Sequence, residues 1–349
     1  NGLAHRSRRP DVYPINLIHV TKATIIAKME EQKAAKRPAL SIIIPHLNGK
    51  HHLDDCLGSL RRQTFSDFEV ILVDNGSTDG SQAYIRNHYS EVKLLELNEN
   101  MGFTGACTAG YNFSTGGLIV LLNNDTEADP RWLEMVVSAF ERVPDAGSVA
   151  SKMLLFDQRD VIHTAGDYYR ADGLPGNRGV WQQDNGQYEN ETFVFSACGG
   201  AAAYRRELLG EIGFLDQDFY FSCEDIDLAW RINLSGHKVL YVPPAVVYHK
   251  LKASGGSGAT SSYYDGRNFL YIIWKNYPSS LLRKHWPSIL HAQMKISLEA
   301  LRSWRGEAAR ARLRGQLAGL WGFFKMRPKR KAIQANRRID DKTLEAILT

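Results

Sequence analysis

Three clusters of polar side chains in this 349-residue chain have the types and spacing that phosphate and proton chemistry requires. In "LIVLLNNDTEAD" an apolar run ends abruptly in Asn123, Asn124 and Asp125. A carboxylate placed there either caps a backbone turn or takes up a divalent cation, which prefers oxygen ligands. In "GFLDQDFYFSCEDIDLAWRI" the aromatic residues Phe219, Tyr220 and Phe221 stand directly before Glu224, Asp225 and Asp227. Acids in a first helical turn are stabilised by the helix dipole, which accounts for one or two of them but not for the aromatics. An apolar wall beside a carboxyl group strips it of water and lifts its pKa towards that of a working general base. The third cluster follows two β-branched runs, "SIIIPHLNG" and "VILVDNGSTDGS". It comprises Pro45, His46 and Asn48 after the first run and Asp74 and Asn75 after the second, with Ser77 and Asp79 expected as turn and cap residues.

The elements that must position these residues are legible from periodicity. Short apolar runs at Leu40, Phe68, Val92 and Leu118 alternate with segments whose apolar residues recur at helical spacing, such as Leu53, Cys56, Leu57 and Leu60, or Leu133, Val136, Val137 and Phe140. Such a βαβα series predicts an α/β fold with a mostly parallel, buried sheet. Ligands bind such sheets at the carboxyl ends of the strands, where the polar clusters fall. The chain has no G-x-G-x-x-G after its first strand and no G-x-x-x-x-G-K-[ST], which argues against a dinucleotide oxidoreductase and a P-loop NTPase.

Composition narrows the class further. At 44% hydrophobic and 23% charged the chain is ordinary globular material, and no apolar run approaches the ~20 residues that span a bilayer. Four cysteines stand singly, which predicts free thiols and a cytoplasmic setting. The net charge of +5 is unevenly distributed: residues 280–349 hold sixteen Lys and Arg against five Asp and Glu. In that tail Trp286, Leu290, Trp304, Leu317, Trp321 and Phe324 interleave with the cations, a pattern of amphipathic helices suited to an anionic membrane surface, to an acidic partner, or to packing on the domain itself. Residues 1–38 read as an N-terminal extension with a short helix and a linker, residues 39–278 as the main domain and residues 279–349 as a basic helical region. The chain opens on Asn1, so a longer parent protein is expected.

From about Leu40 to Asn276 the chain resembles the family 2 glycosyltransferases of GT-A fold, in particular their rhamnosyltransferase-like and galactofuranosyltransferase-like bacterial branch. The resemblance rests on six segments in the family's order, among them "VILVDNGSTDGS", "LLNNDTEADPRWL", "CGGAAAYRRELLGEIGFLDQDFYFSCEDIDLAWRI" and "GHKVLYVPPAVVYH". It implies that Asp74 accepts from the base of a nucleotide, with Asn48, Asn75 and the backbone near Pro45 completing the pocket. Asn123, Asn124, Gly200 and Arg267 are then donor-binding residues. Asp125 takes the last place of a D-x-D motif whose first place is Asn123, and with His249 it is implied to bind Mg2+ or Mn2+. Asp225 matches the general base of an inverting transfer, and Glu224 the group that orients the acceptor.

Three functions are weighed on this reading. The first is a metal-dependent inverting hexosyltransferase, using dTDP-rhamnose or a UDP-hexose and acting on a cell-surface polysaccharide or lipid-linked glycan at the inner face of the cell membrane, without nucleic acid. The second is a nucleotidyl- or phosphotransferase, which lacks its basic phosphate loop. The third is a catalytically impaired GT-A domain serving as a carbohydrate-binding or scaffold module, suggested by the neutral Asn123 and opposed by Asp125, Asp225 and His249 standing together.

Overall fold

Strand β1 (Leu40–His46) sends Leu40, Ile42 and Ile44 into one apolar layer and Ile43 into another, and this two-sided burial fixes the architecture. β1 pairs in parallel with β2 (Phe68–Asp74) and β4 (Leu118–Leu122), and β2 pairs in parallel with β3 (Lys93–Glu96). Helices α1 (Leu53–Arg61), α2 (Ser81–His88), α3 (Gly102–Phe113) and α4 (Trp132–Arg142) follow or link these strands, as the periodicity predicts. The computed structural model describes residues 37–251 and 258–349, so the helix and linker expected before residue 37 lie outside the described residues.

The second half of the sheet departs from a simple parallel series. β6 (Ala146–Leu155) and β12 (Lys238–His249) run parallel to each other, while β11 (Ala201–Arg205) enters antiparallel between β4 and β6. The resulting order is β10-β12-β6-β11-β4-β1-β2-β3, with β10 at Thr192–Val194, β5 (Thr126–Ala128) pairing with β12 and β7 (Ile162–Thr164) with β6. β11 is buried on both faces, Ala201 and Ala203 in one apolar layer and Ala202 and Tyr204 in the other. β8 (Asp167–Tyr169) and β9 (Pro175–Asn177) form a separate hairpin inside a Gly-rich insertion, residues 163–181, which holds Gly166, Gly173, Gly176 and Gly179.

Helices α5 (Arg206–Ile212) and α6 (Glu224–Leu234) cover one face, and α7 (Gly258–Asn276), α8 (Ser279–Arg302), α9 (Glu307–Ala335) and α10 (Asp341–Glu345) complete the chain. The basic region from 279 is not a separable tail, because Pro38–Thr349 form one unit. Met326 and Leu344 join the aromatic cluster of Tyr169, Phe195, Trp230 and Tyr277, and Thr349 N donates to Tyr169 O at 3.0 Å. α9 lies so close to α7 that a Cβ on Gly315 would overlap the Tyr263 carbonyl. Several tail cations find their acids on this same unit: Lys329 pairs with Asp216 and Asp218 at 2.6 Å each, and Arg312 with Asp265 at 3.0 Å.

Candidate active site

A cleft of about 1020 Å3 opens at the carboxyl ends of β1, β2 and β4 and the start of α6. Pro45, Asn48, Asn75, Asn123, Asn124, Asp125, Gly200, Glu224, Asp225 and His249 all line it, although they come from six separate stretches of sequence. On the β1–β2 side the polar residues stitch loops together. Asn48, at φ 51°, accepts from Thr78 N at 2.8 Å through its side-chain carbonyl. Asn75 ties the second loop to the turn before α3, donating to Asn100 Oδ1 at 2.9 Å and accepting from Met101 N at 2.8 Å. Ser77 and Asp79 are turn residues as expected, Asp79 accepting from Ser81 N at 3.1 Å. Asp74 lies beneath this floor, fully buried and not among the residues lining the cleft: Oδ2 accepts from Ser77 N at 3.2 Å and Gln82 Nε2 at 2.8 Å, while Oδ1 has no partner among the described residues. A buried acceptor without a donor is costly, and a ligand N–H is one way to satisfy it.

At the centre of the cleft the two expected metal ligands meet. His249 Nε2 lies 3.1 Å from Asp125 Oδ1, across 124 positions of sequence. This follows from β12 ending beside β5, where His249 is registered with Thr126. On its other side His249 Nδ1 is 3.1 Å from His163 Nδ1. Burial, with His249 second, lowers the His163 pKa to about 3, so His163 is neutral. The tautomer with its hydrogen on His249 Nδ1 donates to His163 and turns the Nε2 lone pair towards Asp125. Lone pairs of nitrogen and oxygen then converge, and neighbouring ligands of an octahedral cation at about 2.1 Å are themselves about 3.0 Å apart. The residues therefore fit a divalent cation, with Asn123 contributing no charge beside them.

The carboxyl groups of α6 are set by a strained loop. Tyr220, Ser222 and Cys223 all have left-handed backbone, at φ 62°, 69° and 66°, an arrangement that non-glycine residues hold only where surroundings enforce it. Asn268 enforces it here, donating to the carbonyls of Phe219, Phe221 and Ser222 at 3.1, 2.9 and 2.7 Å. Arg267, expected at the donor diphosphate, is turned the same way: it donates to Asp218 O at 2.7 Å and Phe219 O at 2.8 Å and is not among the residues lining the cleft. Burial raises the pKa of Asp225, opposed by hydrogen bonds from Gly199 N at 2.9 Å and Ile226 N at 2.8 Å. Burial and then the neighbouring Asp225 raise that of Glu224, whose Oε2 is buried without a partner among the described residues. The backbone donors on Asp225 favour its ionised form, while burial and Asp225 together raise the Glu224 carboxyl to about 8.

The comparisons with known proteins point the same way. Residues 41–213 match the family described as glycosyl transferase family 2. This segment is a family 2 glycosyltransferase domain. The family 2 domain and its flanks are 30% identical over 231 residues to the O-antigen biosynthesis protein RfbC of Myxococcus xanthus, covering 62% of this chain and 18% of that one. They are 27% identical over 233 residues to the N-acetylglucosaminyl-diphospho-decaprenol L-rhamnosyltransferase of Mycobacterium tuberculosis, covering 60% of this chain and 75% of that protein. This chain therefore spans less than a fifth of RfbC. A structure of GalNAc-T7 with UDP, GalNAc and Mn2+ superimposes with a TM-score of 0.57 at 18% identity, covering 72% of this chain and 51% of that one. The fold is of GT-A type, a mixed sheet between helical layers.

Two features of the cleft and its surroundings lay outside the sequence reading. His163 and Asp167, with Asn177, bring the Gly-rich insertion into the cleft wall. Their signal was weak because a three-residue strand and a hairpin have no periodicity to follow. Asp227, the third of the acids that begin α6, is the centre of a buried ion cluster. It accepts from Arg231 Nη2 at 2.9 Å, Lys275 Nζ at 2.8 Å and Asn276 Nδ2 at 2.9 Å. Burial alone would raise its pKa, but Lys275 and then Arg231 outweigh this and hold it below the usual range. Asp227→Ala removes the shared acid of this cluster, leaving Lys275 only Asp216 at 2.6 Å and Arg231 only backbone carbonyls, and is expected to destabilise the protein by about 3 kcal/mol. Urea unfolding measures this, and a loss below about 1 kcal/mol would show the cluster to be dispensable.

Proposed function

We propose that this protein is an inverting glycosyltransferase that moves a sugar from a nucleoside-diphosphate donor to a hydroxyl of a cell-surface polysaccharide or lipid-linked glycan. The observation that carries this reading is the meeting of the Asp125–His249 pair with Asp225 in a single cleft at the carboxyl edge of the sheet. Asp225, ionised and anchored by Gly199 N, accepts the proton of the acceptor hydroxyl as its oxygen attacks the anomeric carbon; the bond to the diphosphate breaks on the opposite face. Glu224, retaining its proton, donates a hydrogen bond from its unpartnered end and orients the acceptor. Asp74 Oδ1 accepts an N–H of the nucleobase, and Gly199 and Gly200 let the backbone approach the donor sugar. Asp125 and His249 hold Mg2+ or Mn2+, whose charge offsets that developing on the leaving diphosphate. The Mn2+ beside UDP in GalNAc-T7 and the rhamnosyltransferase relative favour dTDP-rhamnose or a UDP-hexose. Titration calorimetry with UDP, dTDP and GDP in Mn2+ tests the donor half. One nucleoside diphosphate binds, and binding weakens in Asp74→Ala; if none binds, the reading fails.

The acceptor's location is part of the same proposal. α8 exposes Trp286, Leu290, Met294, Leu298 and Leu301 on one stripe, and α9 exposes Leu317, Leu320, Trp321 and Phe324. Lys295, Arg302, Arg305, Arg314 and Arg327 stand exposed on and between these helices. No helix among the described residues is long and apolar enough to cross a membrane. Apolar side chains flanked by cations suit the surface of an anionic bilayer, where a lipid-linked acceptor resides. Because α9 is part of the core, the test uses the surface variant Trp321→Glu/Phe324→Glu instead of truncation. Its binding to phosphatidylglycerol vesicles is expected to fall roughly tenfold or more, while nucleotide binding is retained. Equal sedimentation of variant and parent would assign the stripe to another role.

A further inference from the structure

Asp167 is a further carboxyl group in the cleft beside Asp125, Glu224 and Asp225, only 4% exposed. Its Oδ1 accepts from Thr164 Oγ1 at 2.6 Å and from Asn177 Nδ2 at 3.0 Å. A carboxyl oxygen of Asp167, the Cys198 thiol and a carboxyl oxygen of Asp225 all lie within 4.8 Å of one another. Two desolvated carboxyl groups this close do not both ionise readily, so one of them holds the proton. The geometry says which. Asp225 sits in the first turn of α6 and accepts from the backbone N–H groups of Gly199 and Ile226, donors that cannot be withdrawn and that favour the anion. Asp167 has a hydroxyl and an amide on Oδ1, which leaves Oδ2 as the site of its hydrogen.

We propose that Asp167 is a positioning residue for the general base: its neutral carboxyl completes the pocket around ionised Asp225, and its ionisation sets the upper pH limit of the reaction. This rests on the reading of Asp225 as base. Burial, reinforced by Asp225, raises the Asp167 pKa to about 8, and Thr164 and Asn177 only partly oppose this. The groups facing the pair are Cys198, whose thiol burial holds protonated, and Glu224 beside Asp225, also raised. Once Asp167 ionises, two buried anions repel each other and the base loses its fixed orientation.

Asp167→Asn tests this, because the amide keeps the Oδ1 acceptor and offers an N–H in place of the O–H without being able to ionise. Wild-type turnover is expected to fall on an alkaline limb near pH 8. In Asp167→Asn turnover stays near wild type at about pH 7 and the limb becomes shallower, since only Glu224, also raised to about 8, still ionises there, whereas Asp167→Ala loses turnover across the range. An alkaline limb identical in wild type and Asp167→Asn overturns the proposal, as does Asp167→Asn losing turnover as severely as Asp167→Ala. A second readout needs no activity. Carbon NMR of protein labelled at the aspartate carboxyl carbons shows a resonance titrating near pH 8 that is missing from Asp167→Asn. If the missing resonance instead titrates near the ordinary value of about 3.9, the proposal is wrong even where transfer is normal. Should no donor support transfer, the base reading falls, and the NMR titration still decides the state of Asp167.

Discussion

Asp225→Asn is expected to lower turnover by a factor of order 10²–10⁴ while leaving nucleoside-diphosphate affinity unchanged. The amide is the same size as the carboxylate and its oxygen keeps the bond from Gly199 N, giving up only the one from Ile226 N, while Asn268 still holds the loop 220–223 through its carbonyls. What disappears is a group able to take a proton. Single-turnover measurement at saturating donor separates the two effects, since it reads chemistry without binding. Near-normal turnover in Asp225→Asn would remove the residue from the reaction and leave Glu224 as the remaining acid of the pair.

Chelation carries the second large effect. With EDTA present transfer is expected to stop, and Mn2+ in excess to restore it. Asp125→Ala should weaken nucleoside-diphosphate binding by about tenfold to a hundredfold in Mn2+ and hardly at all without metal, because the residue acts on the diphosphate only through a cation. His249→Ala should follow the same pattern. The neutral Asn123 sharpens the expectation: one carboxylate and one imidazole form a weakly charged site, so metal and diphosphate should bind together more tightly than either alone. Full transfer in chelator would return Asp125 and His249 to a structural hydrogen bond.

The N-terminal half of the fold was legible because its strands are buried on both faces and its helices on one, and each pattern leaves its own period. Asp125 and Asp225 were legible as well, since each ends an apolar or aromatic run where turn chemistry alone is a poor explanation. The antiparallel entry of β11 was not, because "AAAYR" carries no sign of strand direction. Arg267 was placed at the donor by the family resemblance and its charge. Its guanidinium instead holds the carbonyls of Asp218 and Phe219, a backbone contact with no trace in residue spacing. The tail shows the same limit in reverse. Its cations suggested an external acidic surface, yet Lys329 and Arg312 are matched by Asp216, Asp218 and Asp265 of the chain itself, and the exposed apolar stripes are what remain to be explained.

The central claim is sugar transfer with inversion in the cleft holding Asp125, His249 and Asp225. The most direct measurement is proton NMR of the product formed from dTDP-rhamnose, UDP-glucose, UDP-galactose or GDP-mannose with Mn2+ and a lipid-linked glycan acceptor. The account predicts that one donor yields a glycoside whose anomeric configuration is opposite to that of the donor, and that Asp225→Asn protein yields essentially none. A product retaining the donor's configuration, or no product from any of these donors, would contradict it.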